Sequence, residues 1–216
     1  MSIIVQLSNV RLSFPTLTKP EAFEVGGVPK YSASFLMSPT HPGYLKFKQA
    51  VAEIAVEKWG KSAHPVLNII NNDRKLRCFG DGDERVNAKT FEVYDGYAGN
   101  VYVSAGNADK PQLFDSQGDL SPVDNTMAYM AIARSLYGGC YVNAVVQVWT
   151  QDNAIARAIR CTLIGMQFFK DGEMFGEGVP DVSSMFGAVV AAPSVAAPVA
   201  APAAPAPAPA PLQDWM

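Results

Sequence analysis

Apolar and polar side chains alternate with a period of two through most of this sequence, which restricts the chain to folds built from half-buried strands. Successive side chains of a strand point to opposite faces of a sheet, so alternate apolar residues line one buried face. In "CYVNAVVQVWT" (Cys140–Thr150) the alternate residues that share one face, which we call one parity of the strand, are all apolar: Cys140, Val142, Ala144, Val146 and Val148. The segments Lys30–Met37 and Asn100–Ala105 alternate in the same way.

Four further segments have the composition of strands, and two have that of helices. Strands are expected at Ile3–Phe14, Lys75–Phe79, Lys89–Tyr94 and Arg157–Phe169. Helices are expected at Tyr44–Trp59 and at Thr126–Leu136, which is followed by two glycines. Two helices are too few for a sheet of repeated strand–helix–strand units. The pattern therefore predicts a mainly β fold, a small barrel with elaborated loops and one or two inserted helices.

The C-terminal region has a composition that cannot form a core. Residues 188–211 comprise 12 Ala, 7 Pro, 4 Val and one Ser, and regularly spaced proline blocks helix and favours an extended conformation. At about 3.1 Å per residue, such a segment reaches on the order of 70 Å. The sequence thus predicts a folded domain over 1–187, a disordered Pro/Ala-rich linker over 188–211, and a tip over 212–216, "LQDWM".

Charge is distributed unevenly between the body and the tail. All 17 Lys and Arg residues precede position 171, together with 15 of the 20 acidic residues, which gives the body 17 − 15 = +2. Residues 171–216 contain five acidic residues and no basic residue, which gives −5. The chain thus combines a mildly basic body with a wholly acidic tail.

The cysteines indicate a reduced compartment. Cys78, Cys140 and Cys161 are odd in number, widely spaced and set in apolar surroundings, as in intracellular proteins with buried thiols. No apolar run approaches the 18 or so residues of a membrane span. A cytoplasmic location without membrane association is therefore expected.

The sequence offers little catalytic or metal-binding chemistry. His41 and His64 are isolated, each beside a proline, and no cysteine pair has zinc-site spacing. Neither a GxxxxGK[ST] loop nor a GxSxG elbow is present, and the carboxylates are scattered among turns. We therefore expect no catalytic residue, no metal and no cofactor.

Aromatic and cationic side chains occupy the strand parities opposite the apolar ones. The aromatic candidates are Tyr141, Trp149, Tyr102 and Phe79, and the cationic candidates are Lys75, Arg77, Lys89, Arg157 and Arg160. Rings on a solvated sheet face beside cations form a platform on which the bases of single-stranded nucleic acid stack while phosphates pair with Lys or Arg. Alternatively, these rings pack beneath an inserted helix or against a second subunit in a homodimer.

Five blocks of the sequence resemble, in the same order, a family of bacteriophage single-stranded DNA-binding proteins with an OB-fold. The blocks are "RLSFPTLTKPEAFEVGGVPKYSASFLM" (Arg11–Met37), "FGDGDER" (Phe79–Arg85), "YAGNVYVSAGNADKPQLFDSQG" (Tyr97–Gly118), "YGGCYVNAVVQVW" (Tyr137–Trp149) and "GMQFFKDGEMFG" (Gly165–Gly176). Together they span nearly all of the predicted folded domain.

The resemblance implies a five-stranded OB-fold-like barrel that coats single-stranded DNA, without sequence preference, during phage replication and recombination in the host cytoplasm. It also implies an acidic C-terminus that binds a phage or host DNA polymerase, helicase or recombinase. Asp214, Trp215 and Met216 would form that partner site or, alternatively, fold back over the basic face of the barrel. The tip departs from acid-rich tips in having a single acidic side chain.

Two other classes of function stay open at this point. A virion or scaffold protein would use the Pro/Ala arm as a spacer and would not bind DNA in a salt-sensitive way. A nuclease or other DNA-modifying enzyme would need a carboxylate cluster or a metal site.

Overall fold

The computed structural model describes residues 1–22, 26–118 and 126–176. The strands in these ranges are β1 (Ser2–Glu21), β2 (Lys30–Met37), β3 (Phe79–Asp81), β4 (Val101–Asn107), β5 (Gln112–Phe114), β6 (Tyr141–Asp152) and β7 (Arg157–Lys170). The helices are α1 (Pro42–Trp59), α2 (Ala63–Asn72) and α3 (Thr126–Ser135). The predicted linker and tip lie outside the described residues.

The strands form one sheet in the order β3-β4-β2-β1-β6-β7-β5. All neighbouring strands are antiparallel except β5 and β7, which are parallel. The mainly β class is confirmed. The sheet has seven strands where five were predicted, because the short strands β3 and β5 extend it at its two edges.

The two sides of the sheet approach each other between β4 and β7. The side-chain amide of Asn107 donates to the carbonyl of Leu163 at 3.0 Å. The backbone N–H of Ile159 donates to the carbonyl of Leu76 at 2.9 Å, just before β3. Through these contacts the five longer strands surround a shared interior. That the sheet closes as an OB-type barrel stays a prediction.

The alternating residues of β6 confirm the predicted core parity, because Val142, Ala144, Val146 and Val148 are all completely buried. The predicted apolar face of α1 packs over the same core. It consists of Phe47, Val51, Ile54 and Ala55. Helix α1 begins at Pro42, two residues before the predicted start, since proline fits the first turn of a helix, where its missing N–H has no partner to lose.

Helix α2 was not predicted from the sequence. Its buried residues Ala63, Val66 and Ile70 have helical spacing, which is the signal that could have revealed it. The helix is short, and Pro65 obscures its start, although proline is tolerated in the first turn. Among the described residues, no helix combines the length and hydropathy needed to cross a membrane.

Two predicted strands are wrong. Lys75 lies in a turn after α2, where its N–H donates to Oδ1 of Asp73 at 2.8 Å, so pairing starts only at Phe79. The segment Lys89–Tyr94 is a loop, attached by a single bridge between Val86 and Val93. Local side chain–backbone hydrogen bonds compete with strand pairing in both segments.

Candidate nucleic-acid interface

The outward parity of β6 presents two aromatic rings, and each lies opposite a cation of β7. The strand register pairs Tyr141 with Lys170 and Trp149 with Arg160. The intervening inward residues are buried, so both rings face away from the core. The face expected from the sequence therefore exists along β6.

Around Tyr141 the cations come from both neighbouring strands. The Nζ atom of Lys170 lies 4.4 Å from the ring centroid, and the guanidinium carbon of Arg11 on β1 lies 5.7 Å from it. Lys170 is exposed, whereas Arg11 is held in place by its donation to the carbonyls of Glu173 at 2.6 Å and Gly139 at 3.3 Å. We call Tyr141, Arg11 and Lys170 the Tyr141 site.

Around Trp149 hydrogen bonds fix both the ring and its cation. The indole Nε1 donates to Oγ1 of Thr162 at 3.0 Å, and the side chain is 37% exposed. Arg160 donates from Nε to Oε1 of Gln151 at 2.9 Å and from Nη1 to the carbonyl of Lys75 at 2.8 Å. The exposed Lys75 is thereby brought beside Arg160. We call Trp149, Arg160 and Lys75 the Trp149 site.

The two sites lie at opposite ends of one strand. At roughly 3.4 Å per residue, Tyr141 and Trp149 are about 27 Å apart along β6. Each site combines an aromatic ring with a cation, the two groups that single-stranded nucleic acid requires. A base that stacks on Tyr141 would displace Lys170, whose Nζ atom lies over that ring at 4.4 Å. A strand of nucleic acid following β6 would meet the same combination twice.

Tyr102 does not lie on a solvated face. It points away from the main core, but it is only 3% exposed, because it packs in a second apolar cluster with Leu36 and Tyr97. Residues 82–100 cover it, and the Arg85 guanidinium carbon lies 5.2 Å from its ring centroid. The premise that made Tyr102 an open stacking residue is therefore wrong.

Phe79 and Arg77 also differ from their predicted placement. Phe79 packs against the main core, with its ring 5.6 Å from that of Phe47, because it pairs with the inward-facing Val103. The side chain of Arg77 is 10% exposed and pairs with Glu84 at 2.5 Å. Neither side chain is free on the outer face in this structure.

The remaining predicted residues are dispersed. Lys89 is exposed in the loop between Val86 and Val93, away from the strand pairs of β6 and β7. Arg157 pairs with Asp152 at 3.4 Å at the turn between β6 and β7. The tail residues Asp214, Trp215 and Met216 lie outside the described residues.

Sequence reasoning missed Arg11 and Lys170, although both lie within the resembling blocks. Arg11 stands between the buried residues Val10 and Leu12, so its parity alone would have indicated an outward side chain. Lys170 is the last residue of β7, where the predicted strand had already ended.

The cysteine that follows two glycines, Cys140, is a core residue. Cys140 is completely buried, and burial raises the pKa of its thiol to about 11. Burial likewise raises the pKa of Cys161, and all three cysteines are free thiols. Within residues 1–22, 26–118 and 126–176, no group of three or more His, Cys, Asp or Glu side chains could hold a metal ion.

Comparison with known proteins places this geometry in a family. The chain is 36% identical over 181 residues to putative protein p50 of Acyrthosiphon pisum secondary endosymbiont phage 1, covering 82% of this chain and 90% of that protein. The single-stranded DNA-binding protein of bacteriophage Enc34, solved in complex with ssDNA, superimposes with a TM-score of 0.63 at 26% identity, covering 80% of this chain and 89% of that one. A C-terminal truncation of the Enc34 protein superimposes with a TM-score of 0.61 at 27% identity, covering 80% of this chain and 88% of that one. The model of the family described as Enterobacter phage Enc34, ssDNA-binding protein, matches residues 2–193, so the chain belongs to this family.

Proposed function

We propose that this protein coats single-stranded DNA without strict sequence specificity by stacking bases on Tyr141 and Trp149 and pairing phosphates with nearby cations. The observation that supports this most strongly is the register of β6 and β7, in which each outward ring stands opposite a Lys or Arg. Family membership supports the same ligand.

The cations divide into those that can reach a phosphate and those already engaged. Lys170, Lys75 and Lys89 are exposed and have no acidic partner among the described residues. Arg160 is half-buried but lies beside Trp149. These four residues make the phosphate contacts in this proposal, three of them beside the rings of β6 and Lys89 from the separate loop between Val86 and Val93. With a body charge of only 17 − 15 = +2, we expect few contacts and moderate affinity.

The predicted residues that the fold buries take supporting roles in the proposal. Tyr102 supports the loop of residues 82–100 from below, and Phe79 anchors the edge strand β3 on the core. Arg77 fixes Glu84 in that loop. Their substitution would alter DNA binding through the position of the loop.

The proposed biological role is binding rather than catalysis. The protein would protect single strands during phage DNA replication and recombination, in the host cytoplasm where phage DNA is copied. The C-terminal residues Asp214, Trp215 and Met216 would bind a DNA polymerase, helicase or recombinase at the end of the Pro/Ala-rich segment.

A titration of fluorescently labelled oligo-dT at low and physiological salt tests the DNA-binding proposal. Binding should weaken with salt, with a log–log slope of about −0.7 for each phosphate contact. Absence of binding at low salt would refute the proposal and favour a virion or scaffold protein. Binding that does not respond to salt would refute the phosphate contacts.

Truncation after Gly187 tests the tail. Because residues 188–216 contain one acidic residue, Asp214, and no basic residue, a chain lacking them should bind oligo-dT as well as the full chain or slightly better at low salt. It should lose co-purification with a replication partner. Loss of DNA binding on truncation would show instead that the tail is part of the DNA site.

A further inference from the structure

Strand β1 contains an irregularity that turns a phenylalanine out of the core. Its pairing with β2 passes from Ser13 opposite Ser34 to Thr16 opposite Ser32, so Phe14 and Pro15 form a bulge. Strict alternation would place Phe14 inside with Leu12, whereas it has a φ of 46° and is 50% exposed. Bulges that redirect a side chain, and non-glycine residues with positive φ, concentrate at functional sites.

Phe14 forms one wall of a groove of about 630 Å³, which we call the bulge groove. The opposite wall is the loop ending at Asp95, and the far end is formed by Gly138, Phe175 and Gly176. Hydrogen bonds join these parts, since Phe175 N–H donates to the Gly138 carbonyl and Gly176 N–H donates to Oδ2 of Asp95, both at 2.9 Å.

The aromatic part of the groove is rigid. The ring of Phe14 meets that of Tyr94 edge to face, with centroids 5.0 Å apart and an interplanar angle of 82°. Tyr97, which is completely buried, supports both rings from below at 6.1 Å. One face of Phe14 can therefore receive a planar ligand without rearrangement of the rings behind it.

The polar part of the groove consists of acceptors rather than cations. No Lys or Arg occurs among its lining residues, which include Asn87, Thr90, Glu92 and Asp95. Asn87 accepts from Lys89 N–H at 2.9 Å and Asp95 accepts from Gly176 N–H. Glu92 lines the groove and is exposed, and among the described residues its carboxylate accepts no hydrogen bond. Such a lining repels phosphate and accepts hydrogen bonds from amino groups.

We propose that the bulge groove binds one nucleobase of the single strand, stacked on Phe14, with its exocyclic amino group donating to Glu92. This proposal rests on the proposed function, because it supplies a base subsite for the same DNA. Cytosine offers an N4 amino group where thymine has the O4 acceptor, which would face the carboxylate unfavourably. The groove therefore adds a preference for cytosine over thymine to otherwise sequence-independent binding.

Competition between oligo-dC and oligo-dT of equal length, at neutral pH and one salt concentration, tests this subsite. The unmodified chain should bind oligo-dC roughly three- to tenfold more tightly, the range of one hydrogen bond. Glu92→Gln should bring that ratio close to one, because a glutamine amide can donate to O4 of thymine. Glu57→Gln, an exposed carboxylate on α1, is the matched control and should leave the ratio unchanged.

Phe14→Ala tests the stacking half and should weaken binding of both oligonucleotides about fivefold or more. Ile69→Ala removes a similarly exposed apolar side chain from α2 and should change neither. If Phe14→Ala unfolds the chain, the ratio of oligo-dC to oligo-dT affinity in Glu92→Gln still tests whether the groove binds a base. Equal binding of the two oligonucleotides by the unmodified chain, or a ratio that survives Glu92→Gln, would overturn the subsite alone. Failure to bind either would overturn the proposed function.

Discussion

Replacement of Trp149 by alanine should weaken DNA binding strongly, because the ring is positioned before DNA arrives. Its indole N–H is already bonded to Thr162 at 3.0 Å, and its cross-strand neighbour Arg160 is fixed by two hydrogen bonds. Little ordering remains to oppose stacking when a base docks. The ring is also 37% exposed, so a face is open to a ligand.

The expected loss follows from what the substitution removes. A stacked base contributes about 1–3 kcal/mol by alanine substitution, which is a factor of about 5 to 150 in Kd. Trp149→Phe keeps a π face but loses the donor to Thr162, so it should cost only about 0.5 kcal/mol, the low end for a half-exposed hydrogen bond. The order of affinity should be wild type, then phenylalanine, then alanine.

Anisotropy of a labelled oligo-dT of about 16 nucleotides at low salt would measure these Kd values. Trp59→Phe is the matched control, since Trp59 also donates its indole N–H to a side chain, Asp152 at 3.1 Å, but lies at the end of α1. Thermal melts by circular dichroism would verify folding of each variant. Wild-type affinity in a folded Trp149→Ala variant, and also in Tyr141→Ala, would refute the assignment of the stacking face.

Three further predictions concern charge, packing and pH. Lys170→Ala should lower the magnitude of the log–log salt slope by about 0.7, and an unchanged slope would remove Lys170 from the phosphate contacts. Gly82→Ala should destabilise the fold by about 1–3 kcal/mol, because the new Cβ would collide with the carbonyl oxygens of Tyr97 and Asn100. The destabilisation should appear as a lower Tm, and an unchanged Tm would contradict this packing. Cys140 should resist iodoacetamide at about pH 8.5 in the native state, because burial raises the pKa of its thiol from 9.0 to about 11. The contribution of this thiol to the free energy of unfolding should decline as the pH rises from about 9 towards 11. Rapid labelling of the native protein would show that Cys140 is exposed.

Alternation predicted the long strands because each of them has one face on the core. The buried parity of β6 and the apolar face of α1 both follow directly from the sequence. The failures occurred where local hydrogen bonds outweigh periodicity, as at Lys75, whose N–H is taken by Asp73. Parity also gives no information about what lies on the other side of a strand, which is why Tyr102 is outward but buried under residues 82–100.

The site was only half predictable for a related reason. Tyr141 and Trp149 follow from parity, but their cations depend on which strands neighbour β6 and in what register, and that requires the topology. Phe14 depends on the bulge, for which Pro15 within a strand was the available signal.

Ultraviolet crosslinking of oligo-dT to the full chain, followed by mass spectrometry of the crosslinked peptides, tests most directly the central claim that the outer face of β6 binds DNA. We expect crosslinks on Tyr141 and Trp149, lost when an excess of unlabelled oligo-dT is added. Crosslinks confined to α1 and α2, whose apolar faces pack on the core, would contradict it.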